Sequence, residues 1–479
     1  MASTRRCPLL PDEIISDEIL PRLPAKSVLG LRCLSRAWAA TLSSDHYIDR
    51  YHALHGGRPK IFRIQNESHG EVDEEAKSCA PPPIAVFPMA VTIDWFPRCV
   101  TVFWDETTPP APGPEHPSLA ATRCRGLVLL ELVPTGIHFV CNPSTGKTRA
   151  LPEGRTTGCR SPRELSHKYA SLGLGYDAPT RRHKVVRVYY RGSDSEGRPA
   201  SMGCEVYVVN ARDEDDSAAG SWRPVTSRPA GWVEPCRPSV FAQGQVYWLG
   251  YRKHDLRRGY FRRQEKIMII SFSMSQETFG TVSPPAAMDD EALRMRCLTE
   301  LGGELCLFSG GSSGHEHRYD VWLLHSTTWD LYCRIEAGMA SPEVNRVMRS
   351  HRNIYNINIL PLAITDNGRR ILLARNDSPK DVWVYTPLTG DIQKHLDLDS
   401  VVDRKNWLLE VAVYEENVAS PGRQLSRDIV LTSSLSTQAL SLVLRLLPER
   451  TLRRLMCVCR SWCTMIAIHL WYVGQGDLE

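Results

Sequence analysis

The 479-residue sequence predicts a mainly β protein. A propeller-like body spans residues 59–424, a small α-helical module precedes it at 1–55, and a second helical unit follows at 430–472. Three observations carry this prediction. Short β-branched and aromatic runs bounded by turn residues fill the middle, as strands do. Strand-turn-strand units recur along it. A Leu-Pro…Trp pattern with helical spacing stands near each end, with Pro24 and Pro448, like Trp38 and Trp462, 424 residues apart.

In the first copy Val28, Leu31, Leu34, Trp38 and Leu42 recur every three to four residues, the spacing of one helix face. The second copy answers with Leu452, Leu455, Val458, Trp462 and Ile466. Ser27 and Thr451 stand where a hydroxyl caps a first helical turn. Each unit reads as helix, Leu-Pro turn, capped amphipathic helix. Pro21 should end the opening helix about one residue early, because proline has no N–H to donate.

Leu10-Pro11-Asp12-Glu13 through Ile19, Leu20, Leu23-Pro24 and Leu31-Arg32-Cys33-Leu34 to Trp38 resembles the F-box, a helical module that docks on the Skp adaptor of cullin-RING ubiquitin ligases. The resemblance implies that Leu10, Pro11, Ile14, Ile19, Leu20, Leu23, Pro24, Val28, Leu31 and Leu34 lie at or beneath the adaptor contact, with Trp38 bracing the module's own core. The C-terminal copy begins Leu435-Ser436-Thr437 in place of Leu-Pro, yet its Cys457-Val458-Cys459-Arg460-Ser461-Trp462 stretch is the more family-like. Leu444, Leu447, Pro448, Leu452, Leu455, Val458 and Trp462 would form a second dock, unless this unit is a decayed copy or a plug covering the first. The N-terminal copy is expected to be the working one. Both copies remain open to a plainer reading as local helical hairpins.

The middle holds strand signals at 126–130, 184–190, 205–209, 245–249, 267–272, 320–324 and 381–385. Turns with Thr and often Gly join strands at Asn142-Pro143-Ser144-Thr145-Gly146-Lys147, Gln276-Glu277-Thr278-Phe279-Gly280, Ser326-Thr327-Thr328 and Thr386-Pro387-Leu388-Thr389-Gly390-Asp391. Gly-containing turns also link Val240–Ala242 to Gln245-Val246-Tyr247-Trp248, and Leu298–Leu301 to Glu304-Leu305-Cys306-Leu307. Such radial repetition protects sheet edges. The body resembles the F-box-associated domains of plant F-box proteins through Asn142-Pro143-Ser144-Thr145-Gly146, Leu174-Gly175-Tyr176-Asp177 and Val413-Tyr414-Glu415-Glu416-Asn417-Val418.

Residues 66–83 and 107–117 read as exposed linkers. Acidic 213–216 reads as a hairpin tip. The basic 252–263 loop, with Tyr260 and Phe261, is either a solvated loop or a grip for an acidic or phosphorylated ligand.

A formal charge of +4 gives no argument for bulk nucleic-acid binding. No apolar run approaches the roughly 18 residues of a membrane span, so the protein is expected to be soluble, intracellular, and cytoplasmic or nuclear. Fifteen cysteines, an odd number with several in apolar runs such as Cys141 and Cys306, point to reduced, buried thiols. Cys457, Cys459, Cys463 and His469 are not read as zinc ligands, because residues one apart diverge on a helix. His315 and His317 lack completing ligands, and no metal or cofactor is expected.

Gly310-Gly311-Ser312-Ser313-Gly314 matches the nucleophile-elbow pattern of hydrolases, but strand signals on both sides make it a hairpin loop. No catalytic residues are assigned. The leading expectation is a non-enzymatic substrate receptor that bridges the Skp adaptor, and through it a cullin, to an unidentified target protein. The alternatives are a propeller scaffold without a ligase role and, more remotely, a serine hydrolase.

Overall fold

The computed structural model describes residues 14–57, 59–67, 89–95, 98–103, 116–133, 137–152, 154, 170–193, 199–209, 221–234, 237–251, 267–288, 295–313, 316–336, 359–366, 368–375, 381–397 and 406–422. Outside them lie Leu10, Pro11, most of the two expected linkers, the acidic tip at 213–216, the basic 252–263 loop, Gly314, His315 and the whole 430–472 unit. The linkers are also shorter than expected at their edges. Asn66 and Glu67 end a strand, and His116 and Pro117 begin one.

Among the described residues, strands run from residue 60 to 414 and fall into six antiparallel sheets. The chain opens with β1 (Lys60–Glu67), β2 (Met89–Trp95) and β3 (Arg98–Phe103). A second sheet holds β4 (His116–Cys124), β5 (Leu127–Val133), β6 (Ile137–Asn142) and β7 (Lys147–Ala150). A third holds β8 (Ala170–Asp177), β9 (Arg182–Ser193), β10 (Pro199–Val208) and β11 (Arg223–Val225). The fourth comprises β12 (Trp232–Val233), β13 (Val240–Ala242), β14 (Gln245–Tyr251), β15 (Ile267–Ser273) and β16 (Phe279–Val282). The fifth comprises β17 (Met295–Leu301), β18 (Glu304–Ser313), β19 (Glu316–His325) and β20 (Thr328–Glu336). The sixth comprises β21 (Ile359–Thr365), β22 (Arg370–Arg375), β23 (Asp381–Thr386) and β24 (Asp391–Asp397). Last comes β25 (Asn406–Tyr414), which pairs along β1 and completes the first sheet in the order β25-β1-β2-β3.

The innermost strands touch in a ring: β25 against β4, β4 against β8, β8 against β13 and β14, these against β17, β17 against β21, and β21 against β25. This is a six-bladed propeller whose first blade takes its inner strand from the end of the chain, so first and last blades meet without an open sheet edge. All seven strand runs read from the sequence are strands. Every hairpin turn read there joins consecutive strands. At Gln243-Gly244 and Gly302-Gly303 both central residues have positive φ, which the tight primed hairpin turns require.

The cores lie between blades. Val186, Val188 and Val206 of the third sheet pack on Val246, Trp248, Ile270 and Phe272 of the fourth. A Cβ on Gly173 would meet the Trp248 ring at 2.5 Å, so glycine is what lets these blades close. Phe308, Tyr319 and Val321 meet Ile359, Leu373 and Trp383 in the same way. Cys141 and Cys306 are fully buried thiols, as expected.

Ser312 lies on β18, in register opposite His317 of β19. A strand returns where a nucleophile elbow needs a helix, so the pattern match carries no hydrolase geometry.

From residue 14 to His55 the chain is mostly helical. Residues Ile15–Ile19 form a wide π-type turn and Leu20–Arg22 a 3₁₀ turn containing Pro21. Three helices follow: α1 (Ala25–Leu31), α2 (Arg36–Leu42) and α3 (Asp45–His55). Two expectations are corrected. Val28 to Leu42 do not share one helix, because Ser35 is extended and breaks it (φ −160°, ψ 162°). The caps are Ser35 and Ser44, whose hydroxyls accept from Trp38 N and Tyr47 N, whereas Ser27 lies inside α1.

Candidate functional site

The N-terminal helices have their own small core. Leu20, Val28, Leu31 and Leu42 close on Tyr47 and Tyr51 of α3 and on Val418 from beyond β25. Half-buried Trp38 packs against this cluster, as expected of a brace. Tyr51 Oη donates to Leu23 O at 2.8 Å and ties α3 to the Leu-Pro turn.

The unit sits on the stretch 415–419, which follows β25. Glu416 accepts from Ala25 N at 2.9 Å, the first amide of α1, and pairs with Lys60 of β1. Arg32 donates to Val418 O at 3.2 Å. Asp49 of α3 takes Arg125 at 2.6 Å, and the Arg125 guanidinium lies 4.0 Å over the Tyr176 ring. Glu415 reaches back to Arg123 at 3.5 Å. Its burial pushes its pKa up to about 7, against the pull of Arg123. His52 Nδ1 approaches Glu415 Oε2 at 3.9 Å, but burial and the nearby Arg125 charge push the imidazole down to about 4. At neutral pH the histidine is uncharged and this contact is not an ion pair.

The stretch is held in turn by the Asn142-Pro143-Ser144-Thr145-Gly146 turn. Asn142 Nδ2 donates to Asn417 O at 3.0 Å and Ala419 O at 2.6 Å, while its Oδ1 accepts from Ser144 N at 2.8 Å. Asn417 N donates to Ser144 Oγ at 3.0 Å. Asn417 also receives Ala419 N and donates to Arg125 O. Two of the quoted sequence motifs therefore form one buried polar lock, and Tyr176 of the third lies beneath Arg125.

Of the ten residues expected at the adaptor contact, Leu20, Val28 and Leu31 are buried, Ile19, Leu23, Pro24 and Leu34 are half-buried, and Ile14 is exposed. The three buried ones pack against α3 and Val418, and the other five keep exposed surface. Lys26 is half-sunk beside them, and burial lowers its ammonium pKa to about 8. Sequence reasoning missed Arg123, Arg125 and Glu300. The signal available was a charged residue inside an otherwise apolar run, Arg123 in the run that became β4 and Glu300 in the run that became β17. Among the described residues no cluster of three metal-capable side chains occurs, and no helix is long and apolar enough to cross a membrane.

Residues 104–417, more than half of the chain, match the family of the F-box associated beta propeller domain. The chain belongs to that family. The F-box domain family matches residues 432–472, the end opposite to where the working F-box was expected. The N-terminal placement is corrected accordingly. This F-box-associated propeller protein is 22% identical over 397 residues to an F-box protein of Arabidopsis thaliana, covering 82% of this chain and 85% of that one. It is 26% identical over 256 residues to an F-box/LRR-repeat protein of the same plant, a match that spans half of each chain. A putative F-box/kelch-repeat protein of Arabidopsis thaliana is 23% identical over 330 residues, 66% of this chain and 68% of that one. A solved structure such as the Malassezia sympodialis allergen Mala s 1 aligns at a TM-score of 0.30 and 11% identity over 59% of this chain and 79% of its own, too weakly to carry an argument.

Proposed function

We propose that this F-box-associated propeller protein is a substrate receptor of a Skp-cullin-F-box ubiquitin ligase, with its adaptor dock in the C-terminal F-box. The carrying observation is that one chain holds both an F-box match and an F-box-associated propeller match. In this reading Leu444, Leu447, Pro448, Leu452, Leu455, Val458 and Trp462 supply the apolar anchors that give a helical interface most of its affinity. The propeller presents its loops to a target protein. The chain performs no bond chemistry. It raises the effective concentration of a target lysine beside subunits that carry the ubiquitin thioester.

The test is co-purification of a plant Skp-type adaptor with the full chain and with a Leu447→Asp, Pro448→Ser variant. The wild type should retain the adaptor and the variant should lose it while its unfolding midpoint is unchanged. Equal capture by both contradicts the assignment. A second reading, a propeller scaffold without a ligase role, expects no capture by either chain.

A further inference from the structure

On the propeller axis, side chains from β4, the β13–β14 region, β17, β21 and β25 wall a cavity of about 210 Å³, many times the ~10–15 Å³ that one water requires. Most of the wall is apolar, with Leu119, Leu249, Leu298, Leu360 and Leu362 prominent. One corner is not. There Thr122 and Arg123 of β4 stand with Glu300 of β17, and Arg237 joins the lining.

Arg123 is 7% exposed, and it donates to Glu300 Oε2 from Nε at 2.7 Å and from Nη2 at 2.5 Å. Its Nη1 reaches no acceptor among the described residues, and neither does the Thr122 hydroxyl. Buried guanidinium N–H groups without an acceptor are costly, and a carboxylate is the acceptor that fits them best. Glu300 is already engaged, since its other oxygen takes Gly303 N at 2.5 Å. Arg237 leans on Glu234 at 3.5 Å and is 28% exposed, which sets entry on its side.

We propose that this axial cavity is a binding site for a small amphipathic carboxylate, its head group at the Arg123–Thr122 corner and its apolar body against the leucine wall. A wholly apolar ligand leaves the two donors unmet. A doubly charged anion such as phosphate meets more repulsion from Glu300 than a singly charged carboxylate does. A cation finds Glu300 already paired. Because several blades contribute wall residues, occupancy ties them together and stabilises the folded chain by linkage.

The inference is read on the free chain and does not depend on adaptor capture. Thermal unfolding and calorimetric titration of the full-length protein would use octanoate and phenylacetate as probes, with octanol, octylamine and inorganic phosphate as controls. The carboxylates should raise Tm saturably and the controls should not. Thr122→Val keeps the shape and removes one donor, so Kd should rise about three- to tenfold. Arg237→Gln, at a partly exposed position, should weaken carboxylate binding without lowering the Tm of the free chain. The proposal is overturned if no carboxylate shifts Tm, if octanol or phosphate shifts it equally, or if both variants bind as the wild type does.

Discussion

Asn417 joins three parts of the molecule. Its backbone meets Asn142 and Ser144 of the β6–β7 turn, its amide nitrogen meets Arg125 O of the β4–β5 turn, and its side-chain oxygen fixes Ala419. Asn417→Ala removes the last two bonds and strands two buried backbone groups at ~1–3 kcal/mol each. Urea unfolding should show a loss on the order of 2–5 kcal/mol, and a loss below ~1 kcal/mol would show that the lock is not structural. Glu415 gives a pH test. Its folded-state pKa of about 7 lies above its ordinary 4.5, so the native chain holds a proton that the unfolded chain has released. That contribution to stability is complete below about 4.5 and is lost as pH rises through 7. The stability of the wild type relative to Glu415→Gln should therefore decline between pH 4.5 and 7 and level off above. His52 acts oppositely: its contribution is complete above 6.5 and is lost as pH falls through about 4. At this scale the sequence marked Asn142, Tyr176 and Asn417 as motif residues. It was silent on their being one lock, because partners such as Asn142 and Asn417 are 275 residues apart.

The elements were more legible than their joins. The β-branched and aromatic run Lys184–Tyr190 and the glycine-containing turn at Gly302-Gly303 are local signals, and both elements formed as read. The boundary at Ser35 was not legible, because Ser27 and Ser35 each precede apolar residues and tertiary packing decides which one caps. The closing pair β1–β25 also escaped notice, since no local pattern links Lys60 to Tyr414. That pair is testable through Phe62, fully buried against Val128 and Leu130 of β5 with its ring edge-on to Tyr414 at 6.1 Å. Phe62→Ala should cost about 3–5 kcal/mol by chemical denaturation. A cost near that of a surface substitution, within ~0.5 kcal/mol, would mean that the ring does not rely on this closure.

At the scale of the whole molecule, the composition, the strand runs and the paired Leu-Pro…Trp units together indicated a propeller flanked by helices. Which helical unit carries the F-box was not decidable from periodicity, because the same apolar spacing serves a partner's groove or the chain's own α3. Tyr47, Tyr51 and Val418 close the first unit. The F-box family match lies at 432–472, and the proposed dock is placed there for that reason. The most direct test is adaptor capture by the full chain against a chain ending at Gln424, with the propeller's unfolding midpoint as the folding control. The account predicts that the shortened chain stays folded and captures no adaptor. Undiminished capture by that chain would return the dock to the N-terminal helices and contradict it.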